Sequence, residues 1–306
     1  ADTLVIGGKA VGAGQPVFVV AETANAHNGD FGQAKALVRA AADAGADAVK
    51  IQFIRADALV VKGHPRYAHF KKLEFYDEQW AELFRLAQSV GLPVLADVFD
   101  AAGVETLVRL GVAGLKLHAS DTCHAALIRR VAETQLPVFL SAGGAFPDEL
   151  ECAIEQLRMN GPCPIVLMHG YQAYPTDDSD LHLRRLVTLK EHFNLPVGLQ
   201  DHLDGASPKA MLAPQLALGL GLSVIEKHLT LDRAAKGIDY YSSLNPDEFH
   251  HMVRGIREAE TLLGSPRLAM SEQERTYRQH VRKVVVAAKP IRSGELFRAE
   301  RLTGKR

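Results

Sequence analysis

The 306-residue chain is predicted to fold as a (β/α)8 barrel, the α/β architecture in which a closed ring of parallel strands is wrapped by helices. Three observations predict it. Short β-branched apolar runs alternate with longer amphipathic stretches over roughly 250 residues, the usual length of such a barrel. Ionisable residues sit at the C-terminal end of nearly every run, where a barrel builds its site. The first run is followed by "AETANAHNGDFG" rather than the G-x-G-x-x-G turn expected of a doubly wound open sheet, which is the competing architecture.

The runs, in order, are "PVFVVAE" (16–22), "DAVKIQF" (47–53), "LPVLADVF" (92–99), "AGLKLHAS" (113–120), "LPVFLSAGG" (136–144), "PIVLMHG" (164–170), "LPVGLQDH" (195–202) and "LSVIEKHL" (222–229). Between them lie helical patterns such as "FGQAKALVRAAADAG", "DEQWAELFRLAQSVG", "HAALIRRVAETQ" and "PDELECAIEQLRM". Several of these end in glycine before the next strand, as a helix C-cap requires. Asn28-Gly29 marks a tight turn and Asp30 an N-cap, while Pro147-Asp148-Glu149 reads as a first helical turn. Asp247 and Glu248 likewise read as helix-start residues, opening the last barrel helix. The barrel is expected to occupy residues 1–264. Residues 265–306 are basic and polar, carry one β-like run at Val284–Ala288, and read as a linker leading into a further segment.

Composition narrows the function classes. The chain is 47% hydrophobic and 23% charged with a formal net charge of −1, so it shows no electrostatic footprint for nucleic acid or an anionic membrane. No apolar run approaches the roughly 20 residues that span a bilayer. The N-terminal "ADTLVIGGKAVG" lacks the pattern of an export signal, and Cys123, Cys152 and Cys163 are an odd set without metal-type spacing. Both fit a reducing cytoplasm.

The strand ends carry Glu22; Lys50 and Gln52; Asp97; Lys116, His118, Ser120 and Asp121; Ser141; His169; Asp201 and His202; and Glu226, Lys227 and His228. All are expected at the catalytic mouth. His202 and His228 end neighbouring strands, where two neutral imidazoles can share a divalent ion or each bond a carboxylate such as Asp201 or Glu226. Lys50 and Lys116 can hold an anion, form a Schiff base or snorkel to the rim. Glu22 can serve as a general base or hold a substrate hydroxyl. "YPTDD" (174–178) and "GIDYYSSLNPDEF" (237–249) are loops over the same face, and Asp239, Tyr240, Tyr241 and Ser242 suit a polyol.

Together these segments resemble the sialic acid synthase family of phosphoenolpyruvate-dependent sugar-acid synthases. "FVVAETANAHNGDFGQAKALVRAAADAGADAVKIQF" is similar to the family's opening strand, its turn and its V-K-x-Q strand. "VIEKHLTLDR" with "GIDYYSSLNPDEF" is similar to its I-E-K/R-H-F-T-L-D block and continuation, and "LPVGLQDH" to its P-V-G-x-S-D-H strand. The resemblance implies that Glu22 assists attack by water, that Lys50 and Lys116 bind phosphate, and that His202 and His228 hold Mn2+ or another divalent cation such as Mg2+ or Co2+. It implies sugar contacts from Tyr174 and Asp239, and places Gln52, Asp97, His118, Ser120, Asp121, Gln172 and Gln200 among the substrate-binding positions. The implied reaction joins C3 of phosphoenolpyruvate to the aldehyde of an N-acetylated amino sugar. Water then attacks C2 and phosphate leaves, giving a 2-keto-3-deoxy sugar acid. A homodimer is also implied, because the family's antifreeze-like domain crosses to the partner subunit; "VRKVVVAAKPIRSGELFRAERLTGKR" resembles the start of that domain.

The chain departs from the family pattern where that pattern holds phosphate. S-T-P-F is Ala96-Asp97-Val98-Phe99, a serine of K-I-x-S-G-[ED] is Ala119, the C-T-[NS]-x-Y-P loop is Gly170-Tyr171-Gln172-Ala173-Tyr174-Pro175, and the serine of S-D-H is Gln200. An ionised Asp97 about 4 Å from a phosphate charge would cost roughly 4 kcal/mol at an effective dielectric near 20. Lys50 and Lys116, protonation of Asp97 or its recruitment to the metal could offset that cost, and His118 could replace a lost donor. Two other reactions therefore stay open: a metal-dependent aldolase or lyase using pyruvate, and a Schiff-base aldolase using Lys116. A catalytically silent sugar-binding protein is the non-enzymatic alternative.

Overall fold

The computed structural model describes residues 3–306, which form two compact units, Thr3 to Leu263 and Gly264 to Arg306. The first is a closed parallel barrel. Its strands are β1 (Phe18–Glu22), β2 (Ala48–Gln52), β3 (Val94–Asp97), β4 (Gly114–Leu117), β5 (Val138–Ser141), β6 (Ile165–His169), β7 (Val197–Asp201) and β8 (Val224–Leu229). Each pairs in parallel with the next, and β8 pairs with both β7 and β1, which closes the ring and excludes the open doubly wound sheet. A short strand, Ser243–Leu244, adds in parallel to the end of β8.

Helices α1 (Phe31–Asp43), α2 (Asp77–Ser89), α3 (Ala101–Leu110), α4 (Ala125–Glu133), α5 (Pro147–Arg158), α6 (Arg185–Phe193), α7 (Lys209–Gly219) and α8 (Pro246–Leu263) follow the strands in turn. Their boundaries have local causes. Asp30 accepts from the Gln33 amide at 2.9 Å to cap α1, and Pro147 opens α5. Gly111 turns α3 off in the left-handed conformation at φ 82°.

Strand side chains alternate between the helix layer and the barrel interior. Val19, Val49, Ala96, Leu115, Leu140, Leu167, Leu199 and Ile225 face outward into the large apolar layer beneath the helices. Phe18, Val20, Ala48, Leu95, Phe139, Val166, Met168 and Val224 face inward and fill the lower barrel. An N-terminal hairpin, Leu4–Ile6 with Lys9–Val11, contributes Leu4, Ile6 and Val11 to that inner cluster and closes the barrel floor. Gly198 also belongs to this layer: a Cβ there would lie 2.5 Å from the Met168 sulfur, so only glycine lets β7 pass this close. Polar residues can line the barrel only above this plug.

Strand parity corrects three expectations. His169, Asp201 and Lys227 end their strands but face away from the mouth. Lys227 on β8 and Asp201 on β7 are register partners, and both side chains are fully buried, with Nζ 3.0 Å from Oδ2. The ammonium also donates to the Leu203 carbonyl at 3.1 Å. His169 Nε2 bonds the Leu181 carbonyl at 2.7 Å. These are structural ties between strands and their following loops.

The second unit holds a helix, Glu272–Val281, started by a reciprocal Ser271–Glu274 capping box, and an antiparallel hairpin of Val284–Ala287 with Leu302–Lys305. Among the described residues, no helix is long and apolar enough to cross a membrane.

Removing one member of a fully buried ion pair strands the other charge. Lys227→Met should therefore cost about 3–5 kcal/mol of unfolding free energy in urea titration, whereas the charge-free pair Lys227→Met with Asp201→Leu should recover most of that loss.

Candidate active site

Strand parity delivers Glu22, Lys50, Asp97, Lys116, Gln200 and Glu226 to one level of the barrel interior, just above the apolar plug. Gln52, His118, His202 and His228 lie one residue pair higher on their strands. All ten line one cavity of about 340 Å³ at the C-terminal end of the barrel.

Charge dominates its floor. The Lys50 ammonium touches Glu22, lies 2.5 Å from Asp97 Oδ2 and 3.3 Å from Glu226 Oε1. Lys116 lies 2.6 Å from the same Glu226 oxygen. Two ammonium groups thus face three buried carboxylates, and full ionisation would leave a net negative charge out of contact with water. Glu22 yields. Burial, with Asp97 and Glu226 close by, pushes its carboxyl up to about 8 against the pull of Lys50. Burial also disfavours the Glu226 carboxylate, but Lys116 and Lys50 overcome it and hold the group down to about 2. Burial likewise works against the Lys50 ammonium, yet Asp97, Glu22 and Glu226 keep it charged well above the ordinary lysine range.

The floor has its own positioning contacts. Glu22 Oε1 accepts from the Ala24 amide at 2.5 Å. Gln200 Nε2 donates to Ser141 Oγ at 2.9 Å, so Ser141 supports the floor from β5. Asp97 Oδ1 is buried and has no hydrogen-bond partner.

The histidine pair lies above. The ring centroids of His202 and His228 are 5.5 Å apart, and Tyr174 packs 4.4 Å from His202 and 6.4 Å from His228. Burial lowers both rings, His202 to about 4 and His228 well below its ordinary value, so both are neutral at physiological pH. His202 Nδ1 lies 2.9 Å from the Tyr171 carbonyl oxygen, which can only accept, so Nδ1 carries the proton and Nε2 presents its lone pair. Asp201 is turned away, so the carboxylate-bonded alternative for His202 fails. Neutral rings, with one tautomer fixed by a carbonyl, are what a divalent cation requires of imidazole ligands. The pair fits such an ion. Among the described residues, no cluster of three or more histidine, cysteine or acidic groups offers a fuller protein cage, so ligand or water oxygens would complete the shell.

Gln172, Tyr174, Ser120 and Asp239 line the cavity walls. Tyr174 donates its hydroxyl to Gln172 Oε1 at 2.8 Å. Asp239 is held by a connection between two loops: Asn28 Oδ1 accepts from the Ile238 amide at 3.1 Å, and a side chain on Gly237 would press into Asn28. Burial raises the Asp239 carboxyl, with Arg66 and His69 pulling the other way. Asp121 does not line the cavity. It accepts from Ser120 Oγ at 2.7 Å and lies 3.4 Å from His124, anchoring the β4–α4 loop from outside. Tyr240 and Tyr241 stack on each other, and the Ser242 hydroxyl donates to the His202 carbonyl, so these three shape the loop.

Sequence reasoning missed the rim contributed by Asn25, Arg66, His69 and Phe70. Asn25 donates to Gln52 Oε1 at 2.7 Å. Arg66, His69 and Phe70 come from two short helices, Ala56–Leu59 and Tyr67–Leu73, in the connection between β2 and α2. The length of that connection was the available signal, since long loops in compact domains commonly carry binding residues.

Comparisons with known proteins show the family. Residues 37–267 match the model of the NeuB family. An uncharacterized protein of Methanocaldococcus jannaschii is 36% identical over 305 residues, covering 100% of this chain and 89% of its own. The chain belongs to the NeuB family. The N,N'-diacetyllegionaminic acid synthase of Legionella pneumophila is 34% identical, with 96% of this chain and 86% of that one aligned. A crystal structure of N-acetylneuraminic acid (sialic acid) synthetase from Leptospira borgpetersenii in complex with citrate superposes with a TM-score of 0.85 at 29% identity, covering 92% and 96% of the two chains. Membership of this family therefore accords with the resemblance read from the motifs.

The proton on Glu22 links the site to stability. With its folded value raised to about 8, the native state holds a proton that the unfolded state, near 4.5, releases between those limits. Stability from this group therefore falls as pH rises from about 4.5 to 8. Glu22→Gln, neutral throughout, should gain stability relative to the parent across that window, and the difference should vanish below pH 4 in denaturant titrations.

Proposed function

We propose that this chain is a sugar-acid synthase that forms a carbon–carbon bond between C3 of a three-carbon pyruvyl donor and the aldehyde of an N-acetylated amino sugar. The product is a 2-keto-3-deoxy sugar acid. The observation that carries the reading is the convergence, in one barrel mouth, of a buried lysine–carboxylate floor and a neutral imidazole pair beneath a polar rim. The names of the relatives, legionaminic and N-acetylneuraminic acid synthases, support the product class.

Lys116 binds the donor's carboxylate, with Gln200 alongside. Glu22, neutral but titrating near physiological pH, can both accept and return a proton where C2 and C3 of the donor lie. Tyr174, Gln172, Asp239 and the Asn25–Gln52 amide pair offer hydroxyl-binding groups for the sugar. The barrel plug below and the rim helices above limit water to the mouth. His202 and His228 would hold Mn2+, Mg2+ or Co2+, which supplies Lewis acidity to the aldehyde oxygen.

Phosphoenolpyruvate is the donor that the family resemblance implies. Asp97 against Lys50 favours the second reading, in which the donor is pyruvate.

Two measurements test this function. Equilibrium dialysis should find one tightly bound Mn2+ per chain, weakened at least tenfold by His202→Ala or His228→Ala; unchanged binding in both variants would remove the metal from the proposal. Incubating the Mn2+-loaded protein with each donor and a panel of 2-acetamido aldoses should yield a keto acid three carbons longer than the acceptor, seen by mass spectrometry. Glu22→Gln should slow its formation by 100-fold or more. Absence of any such acid with either donor would refute the synthase.

A further inference from the structure

This inference rests on the synthase reading in one respect: it takes Asp239 as a contact of the sugar acceptor. We propose that Asn28 is a positioning residue that fixes the Asp239 loop over the mouth and so sets the affinity for the acceptor. Asn28 does not line the cavity, and the amide it holds, that of Ile238, lies 210 positions away in the chain.

Asp239 needs holding. Its backbone is left-handed, at φ 59°, a conformation that a residue with a Cβ keeps only where its surroundings enforce it. Two contacts do so. On the C-terminal side, the Ser243 hydroxyl donates to the Asp239 carbonyl at 2.7 Å. On the N-terminal side, the Ile238 amide donates to Asn28 Oδ1 at 3.1 Å. The rest of that carboxamide is committed too: Nδ2 donates to the Ala26 carbonyl at 3.0 Å, which keeps Oδ1 turned to the loop. Gly237 completes the fit, because a Cβ there would lie 2.9 Å from Asn28 Nδ2.

The same turn reaches the opposite wall of the mouth. Gly29, at φ 85°, comes so close to the helix Tyr67–Leu73 that a Cβ would lie 2.3 Å from the Lys72 carbonyl oxygen. His27 accepts from the Gly29 amide at 3.0 Å and packs 4.7 Å from Phe75, just beyond that helix. The helix carries His69 and Phe70 into the cavity wall, and Arg66 precedes it. His27-Asn28-Gly29 therefore joins the loop of Asp239 to the segment of Arg66 and His69, the groups whose charge acts on the Asp239 carboxyl. Lys116, Gln200 and the histidine pair stand on or at the ends of β4, β7 and β8, apart from this turn.

The test separates acceptor from donor. Asn28→Gly deletes the carboxamide without backbone strain, since glycine adopts φ 51° freely. With Mn2+ and saturating phosphoenolpyruvate, this variant should raise the acceptor KM about fivefold, while kcat and the KM for phosphoenolpyruvate stay within about twofold of the parent. Asn28→Asp keeps an oxygen for the Ile238 amide and tolerates the left-handed backbone, so it should restore the acceptor KM. In an Asp239→Ala background, Asn28→Gly should add less than about twofold, because both changes act through one group. Hydrogen exchange needs no acceptor: the peptide spanning residues 236–243 should exchange about fivefold faster in Asn28→Gly, in protein that still melts cooperatively. An unchanged acceptor KM, an equal rise for phosphoenolpyruvate, a full effect without Asp239, or unchanged exchange would each overturn the inference. The synthase reading fails separately: a parent protein that makes no sugar acid from any acceptor sinks it, and the exchange result then still decides whether Asn28 fixes the loop.

Discussion

Everything at the mouth of this barrel is organised by one buried ammonium. Lys50 stands among Glu22, Asp97 and Glu226, and those carboxylates come from β1, β3 and β8. An uncompensated charge at this depth would be strongly destabilising, so the arrangement persists only as a set. With two lysines facing three acids, burial is met by a proton kept on Glu22. Glu226 touches both lysines and ionises, whereas Glu22 touches only Lys50 and keeps its proton. A general acid–base group near neutrality thus follows chiefly from burial, reinforced by the nearby Asp97 and Glu226 against the pull of Lys50.

The period-two alternation of the strands decides which residues join that set. On β8, Glu226 and His228 point inward, while Lys227 between them points outward to meet Asp201. On β7 the same alternation sends Gln200 and His202 in and Asp201 out. Three consecutive polar residues therefore serve two unrelated purposes, with ligand chemistry inside the ring and strand-to-strand fastening outside. The N-terminal hairpin and the inward Phe18, Phe139, Val166 and Met168 fill the space below, so the charged layer rests on an apolar floor that water does not reach.

Much of this was legible in the chain. The run of strands, the Asp30 and Pro147 helix starts and the clustering of ionisable groups at strand ends follow from local rules. The motifs carry the family, because His202, His228, Lys50 and Lys116 sit in stretches of characteristic spacing. Parity is readable there too, since the neighbours of Asp201 and Lys227 at two-residue spacing are apolar and face the helix layer. Other features had no sequence signature. The Tyr171 carbonyl that fixes the His202 tautomer is backbone, and it arrives through the fold of the loop after β6. Arg66, His69 and Phe70 reach the rim because two short helices fold back over the mouth, a long-range placement that local propensity does not encode. The partners of Lys50 lie 28, 47 and 176 positions away in the chain, so their meeting is a property of barrel closure.

The departure at Asp97 gives the site its individual character. A carboxylate at the end of β3 accepts a hydrogen bond from Lys50 at 2.5 Å and leaves its other oxygen buried without a hydrogen-bond partner. The most direct measurement is a crystal structure of the manganese-loaded protein grown with phosphoenolpyruvate. The predicted result is one metal ion between His202 and His228 and the donor carboxylate on Lys116. Metal bound away from both imidazoles, or a donor carboxylate seated away from Lys116, would contradict it.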